Sequence, residues 1–131
     1  MPYHLALNSA IQPFEVPALR ESIGWGGRPQ DYPQLFERCN FYADIRETTT
    51  KQLVAFGYVC GMGLEHGYLE DIMVHPAHQG KGLGKQLIHA LITESKQQGL
   101  GILTLSTDEE TAAFYQKCGF DLEISGVIYL N

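Results

Sequence analysis

Asp71-Ile72-Met73-Val74-His75-Pro76-Ala77-His78-Gln79-Gly80-Lys81-Gly82-Leu83-Gly84-Lys85 is the stretch that decides the fold. The apolar run ending at Val74 reads as a strand, Pro76 breaks it, and a glycine-rich turn opens directly into a helix. Such a junction is an anion cradle. Glycines let main chain approach a ligand without side-chain clash, and unpaired N–H groups at the positive end of a helix favour phosphate. Glycines here also serve simply to make the turn. Two phosphate patterns fail. A P-loop needs Ser or Thr after Gly84-Lys85, where Gln86 stands, and Gly where Gln79 stands. The dinucleotide fingerprint GxGxxG needs a third glycine where Lys85 follows Gly80 and Gly82.

Downstream of the turn the period becomes helical. Leu83, Leu87, Ala90 and Leu91 form one stripe, widened by Ile88 and Ile92. Gly99 fits the position just past the helix, with Leu100 as its apolar contact. Ile102 to Leu105 then reads as a short buried strand, and strand–helix–strand order predicts a crossover to a parallel neighbour. Thr107-Asp108-Glu109-Glu110 matches a capping box with Thr107 as N-cap. The helix it opens runs to about Lys117, and two final strands are predicted at Phe120 to Ile124 and Val127 to Leu130, around Gly126.

Upstream, Tyr3 to Asn8 reads as a strand and Pro13 to Ile23 as a short helix. Gly24-Trp25-Gly26-Gly27-Arg28-Pro29 breaks regular structure, and Asp31 is placed to cap a helix reaching about Cys39. Phe41, Ala43 and Ile45 alternate with Tyr42, Asp44 and Arg46, the pattern of a half-buried strand. Gln52 to Cys60 and Tyr68 to Val74 complete an antiparallel meander. The class is α+β with a mixed, mostly antiparallel sheet flanked by helices.

The chain of 131 residues, 44% apolar, suits one domain over 1–131 with its own core. Its net charge of −6 argues against a nucleic-acid backbone as partner and leans toward cationic ligands or plain solubility. Cys39, Cys60 and Cys118 are odd in number and form no CxxC pair, so neither a disulfide framework nor a cysteine zinc site is expected. Free thiols suit a reducing, cytoplasmic setting. Met1-Pro2-Tyr3-His4 lacks the pattern of a signal peptide, and no apolar run approaches the ~20 residues that span a bilayer. His75 and His78 sit three apart beside the turn and His66 lies upstream, but no third ligand stands at metal-site spacing, so no metal is expected.

Gln79-Gly80-Lys81-Gly82-Leu83-Gly84 resembles the Gln/Arg-x-x-Gly-x-Gly/Ala turn of the GCN5-related N-acetyltransferase (GNAT) superfamily. Ala112-Ala113-Phe114-Tyr115-Gln116-Lys117-Cys118-Gly119-Phe120 resembles that family's late helix, which commonly ends Phe-Tyr-x-x-x-Gly-Phe. The likeness covers roughly residues 53 to 124; the first fifty residues match in element order alone. It departs at Asp108, where the family often has Asn, and at Thr111, where it often has Ala.

The resemblance implies a GNAT-like fold with a splayed parallel strand pair, and transfer of acetyl from acetyl-CoA to an amine. In the family the turn amides hold the pyrophosphate and the preceding strand bonds the pantetheine arm. This implies a cofactor set of Ile72, Met73, Val74, Gln79, Gly80, Lys81, Gly82, Leu83, Gly84 and Lys85, with Asp108 in place of the family's Asn. Lys81 and Lys85 read equally as solvated lysines at a helix start.

Amine acylation needs a base for the ammonium, donors for the developing oxyanion and a proton for the leaving thiolate. By similarity Tyr115 is the acid, and backbone N–H of Ile72 to Val74 the oxyanion donor. Glu70 and Asp71, predicted on opposite faces of their strand, are the candidate bases, Glu70 first, with a water chain as the alternative. The Glu-Asp pair also resembles glucosamine-phosphate N-acetyltransferases within the superfamily, without fixing a substrate. Trp25, Arg28 and Tyr32 are the candidate acceptor-binding residues. The acceptor stays open between small molecule and protein. A non-catalytic acyl-CoA sensor or interaction module on the same fold is the rival reading. No nucleic acid or membrane is expected as partner, and edge strands in the last third leave a homodimer open.

Overall fold

The computed structural model describes residues 2–130. Five strands, β1 (Tyr3–Leu7), β2 (Phe41–Glu47), β3 (Leu53–Cys60), β4 (His66–Val74) and β5 (Ile102–Thr104), lie in the order β1-β2-β3-β4-β5. The first four are antiparallel in sequence, and β5 joins β4 in parallel. The helices are α1 (Glu15–Ser22), α2 (Gln34–Arg38), α3 (Leu83–Gln97) and α4 (Glu109–Lys117). Short 3-10 turns occupy Pro29–Asp31 and Pro76–His78.

The sheet is covered on both faces. The predicted α3 stripe buries Leu83, Leu87, Ile88 and Leu91 against Phe41, Ala43, Ile45 and Leu69, with Phe114 and Tyr115 of α4 beside them. On the other face Val16 and Leu19 of α1 pack with Tyr32, Tyr42, Phe56 and Met73. This corrects the half-buried reading of β2. Both its apolar and its polar positions from Phe41 to Ile45 are buried, because helices cover both sides. Arg46 pins the start of α1 to β2 through a two-pronged pair with Glu15, Nη1–Oε2 at 2.6 Å and Nη2–Oε1 at 2.9 Å.

Three further expectations change. The helix expected from Asp31 splits into a 3-10 turn and α2, with Pro33 at the N-cap of α2. The N-cap of α4 is Asp108 rather than Thr107: its carboxylate accepts from the N–H and the hydroxyl of Thr111, both at 2.9 Å. A carboxylate at the positive end of a helix outcompetes a hydroxyl one residue earlier. The two final strands do not form, and residues 121–130 are exposed and lie outside regular secondary structure. Strand propensity needs a partner edge, and here none is engaged.

The register of β4 on β3 is broken at the site. Tyr58 opposes Glu70 and Phe56 opposes Met73, so Gly57 alone faces Asp71 and Ile72. This is a β-bulge. It throws Ile72 across Gly57, where a Cβ would lie 2.4 Å from Ile72 Cδ1 and 3.2 Å from Leu91. Gly57→Ala is therefore expected to destabilise the fold by about 1–3 kcal/mol through overpacking. Adding Ile72→Ala should recover part of the loss in denaturant unfolding, and equal midpoints for Gly57→Ala and the parent chain would refute the contact.

Candidate active site

The bulge residue Asp71 sits at φ 54. Non-glycine residues rarely take this left-handed conformation, though Asp is among the more tolerant. The extra residue breaks strand alternation. Leu69 and Ile72 both face α3, although three positions apart. Glu70 lies opposite Tyr58, which packs on the α1 face, and Asp71 meets Arg20 of α1. The prediction that Glu70 and Asp71 occupy opposite faces is thus corrected: the bulge brings both carboxylates to the α1 side.

Their environments differ. Arg20 Nη1 donates to Asp71 Oδ2 at 2.7 Å, and Tyr32 Oη donates to the same oxygen at 3.4 Å. The Glu70 side chain makes no hydrogen bond or ion pair among the described residues. Burial, and secondarily the charge of Asp71, raise its pKa above the ordinary carboxylate value, against a smaller opposing effect of Arg20. Tyr58 is held protonated by burial first and by the two carboxylates next, and burial and Asp71 raise Tyr32 likewise.

Arg20 was not legible as a site residue, yet it ties the region together. Besides Asp71, its Nε donates to Gly26 O at 2.6 Å and its guanidinium lies 5.4 Å from the centre of the Trp25 ring. Trp25 remains 42% exposed, so the loop it belongs to is held at its root while the ring edges the face. Tyr32 is buried beside Asp71. Arg28 turns away to pair with Asp31 at the surface.

On the opposite face lies the glycine turn. Gly80 and Gly82 have φ of 77 and 80, and a Cβ on either would meet nothing within 4 Å. The turn thus needs glycine for its backbone conformation and leaves open space above it. No side chain caps α3, and helix geometry leaves the N–H groups of Leu83, Gly84 and Lys85 without intrahelical acceptors. Gly84 is a contact residue: its Cβ position lies 3.1 Å from Phe114 Cζ. Gln79 Nε2 donates back to Val74 O at 3.0 Å, closing the turn onto β4. Leu83 is buried, while Lys81 and Lys85 are exposed and form no ion pair among the described residues.

Between the two faces the sheet opens. β4 and β5 pair only from His66–Ile102 to Tyr68–Thr104. Tyr68 Oη bonds Ser106 Oγ at 2.7 Å, and beyond that point the edge of β4 toward Val74 has no strand beside it. The Met73 side chain is buried on the α1 face and Ile72 packs on the α3 face, so these residues present main chain to the gap. Tyr115 stands on the α3 side, its ring edge-on to Phe114 and Phe120, its pKa pushed up to about 12, chiefly by burial. A cleft of about 750 Å³ opens farther along, at the free edge of β5, and of the site residues named above only Asp108 lines it. Among the described residues no three His, Cys, Asp or Glu side chains form a metal-binding group.

An uncapped helix start, an open glycine turn and a split parallel pair thus meet at the free edge of β4. The family model of the Acetyltransferase (GNAT) family matches residues 7–120, and the chain belongs to that family. It is similar to an uncharacterized N-acetyltransferase, ycf52, of Pyropia yezoensis, 28% identical over 95% of this chain and 73% of the relative. It is similar also to glucosamine 6-phosphate N-acetyltransferase of Arabidopsis thaliana, 30% identical over 69% of this chain and 68% of that one. A probable acetyltransferase of Staphylococcus aureus shares the fold at a TM-score of 0.82 and 21% identity, over 98% of this chain and 99% of the other. The chain is an acetyltransferase, and its family uses acetyl-CoA as co-substrate.

Trp25 is the single tryptophan, which makes the Arg20 network observable. Arg20→Leu removes the cation from the ring and the anchor from Gly26, so Trp25 emission should shift to the red and change in yield. Unaltered emission in a folded variant would show that Arg20 does not hold the loop.

Proposed function

We propose that this acetyltransferase transfers the acetyl group of acetyl-CoA to a primary amine by direct attack through the gap between β4 and β5, with Glu70 as base and Tyr115 as donor to the leaving thiolate. The observation that carries this reading is the bulge at Asp71. It puts Glu70 on the α1 face, unpaired, while Arg20 neutralises Asp71 beside it. A half-buried carboxylate of raised pKa is a better proton acceptor than one locked in an ion pair.

The co-substrate supplies an acyl group already activated as a thioester. The residues fit its binding: the open Gly80 and Gly82 turn and the amides of Leu83, Gly84 and Lys85 would hold the pyrophosphate, and the free edge of Ile72 to Val74 would bond the pantetheine arm and receive the oxyanion. With its pKa near 12, Tyr115 stays protonated, and against a thiol of ordinary pKa near 8.5 it acts chiefly by donating a hydrogen bond. Asp108 caps α4 through Oδ1, and its carboxylate, unlike an Asn amide, has no N–H to donate to a cofactor.

The acceptor enters from the α1 face, along Trp25, Tyr32 and Tyr58. Arg20 and Arg28 are already paired with carboxylates. That favours an acceptor whose charge is the ammonium alone over one that also carries phosphate, and it suits a small amine or an exposed protein amine equally.

The decisive assay follows free thiol from acetyl-CoA against a panel of amines, with CoA binding measured alongside. Release that depends on one amine class supports the reading, and a chain that binds no CoA sinks it. Because the base works only when ionised, kcat/KM should rise with pH through the raised pKa of Glu70. Glu70→Gln should abolish that limb and lower kcat by about 10²-fold; an unchanged profile would remove Glu70 from the role. Tyr115→Phe should lower kcat by a similar factor of roughly 10² with CoA affinity nearly unchanged. Equal turnover in the variant would exclude the phenol.

A further inference from the structure

The gap between β4 and β5 has a closed end, and what stands there decides how deep the gap runs. The two strands pair from His66–Ile102 to Tyr68–Thr104. On the α3 side this join is packed tight. Gly67 is buried, and a Cβ on it would lie 2.8 Å from Leu100 Cδ1, 2.8 Å from Val59 Cγ1 and 2.9 Å from Leu103 Cδ2. Leu69 is buried in the same core, with Leu103 and Leu105 packed against it.

His66 and Tyr68 alternate with Gly67 and Leu69, which puts them on the α1 side. There two side-chain bridges cross from β4 to β5. His66 Nε2 meets Thr104 Oγ1 at 3.0 Å, and Tyr68 Oη meets Ser106 Oγ at 2.7 Å. Each bridge leans two residues forward of its register partner, which is Ile102 for His66 and Thr104 for Tyr68. The second therefore oversteps the last paired rung. Continuing the register puts Ser106 level with Glu70, so the half-buried Tyr68 is tied across the gap at a level where the strands have already parted.

We propose that Tyr68, held by Ser106, is the stop that limits the transferred acyl group to acetyl. The inference rests on the placement of coenzyme A proposed above, and on no assignment of base, acid or acceptor. With the pyrophosphate at the glycine turn and the pantetheine arm on the edge from Val74 to Ile72, the thioester would point down β4 toward the join. An acyl chain would continue in that direction. From Ile72 to the level of Glu70 the strand offers about 7 Å at full extension. A thioester carbonyl and one methyl fit in that length. A chain two carbons longer meets the Tyr68–Ser106 bridge on the α1 side and the packed join beneath it. Neither yields freely. The α3 side has no room for one added carbon at Gly67, and moving the phenol aside breaks its hydrogen bond.

The test is direct binding of CoA, acetyl-CoA and butyryl-CoA to the full chain by titration calorimetry, which needs no acceptor. The parent chain should bind CoA and acetyl-CoA alike and butyryl-CoA roughly 10-fold or more weakly. Tyr68→Ala should lose most of that difference while its affinity for CoA stays the same. A merely structural role for Tyr68 would instead weaken all three ligands together, and that outcome would overturn the proposal. So would a parent chain that binds butyryl-CoA as tightly as acetyl-CoA, or a length preference that survives in Tyr68→Ala. Should Tyr68→Ala fail to fold, Ser106→Ala, which frees the ring from β5, carries the same outcomes. A parent chain that does not bind CoA itself would remove the cofactor placement and the stop with it, a result distinct from CoA binding without a length preference.

Discussion

One extra residue in β4 organises the site. A regular strand would send Glu70 and Asp71 to opposite faces and pair antiparallel with β3 without interruption. The bulge opposite Gly57 turns Asp71 back toward α1 and lays Ile72 over the missing side chain of its partner. The left-handed conformation of Asp71 costs of order 1 kcal/mol. The Arg20 ion pair and the packing of Ile72 against the α3-side core hold it in place. The α1 face is arranged around it: an ion-paired aspartate, a free glutamate, the buried phenol of Tyr32, the half-buried phenol of Tyr58 and a tryptophan loop tethered to the same arginine.

The two faces of the sheet are built from different materials. On the α3 side, what points at the opening is main chain: the amides of an uncapped helix, the glycine turn, the free edge of β4. On the α1 side it is side chains, in a layer of carboxylates and aromatic rings. Gly84 links the first face to α4, since its bare Cα is what lets Phe114 approach, and Phe114 is the neighbour of Tyr115. The glycine turn and the helix that carries the phenol therefore meet where Phe114 lies over Gly84.

Much of this was legible in the residues. The α3 stripe, its end before Gly99 and the strand on either side follow from periodicity and breakers, which are local signals. So does the glycine turn, because an uncapped, glycine-rich helix start has few other uses. The bulge was not, since period-two alternation assumes one residue opposite one residue. Asp71, an αL-tolerant residue next to another charge in an apolar strand, was the available hint. Arg20 gave no sign, as a lone arginine on a short amphipathic helix reads as solvated surface. The burial of both faces from Phe41 to Ile45 was missed because Asp44 looked like an outward-facing position, whereas it is 1% exposed with Ser9 as its hydrogen-bond donor. The segment 121–130 has strand propensity but no intrachain partner, and propensity alone cannot supply an edge.

The division between main chain and side chains bears on how such a protein changes over generations. A grip made of peptide amides is insulated from most point substitutions, because Lys81, Lys85 and Gln86 can be exchanged without altering the groups that face the gap. A face made of side chains has no such insulation, and each replacement at Trp25, Tyr32 or Tyr58 redraws it. On the proposed reading, a lineage of this architecture can drift in what it accepts while keeping what it donates.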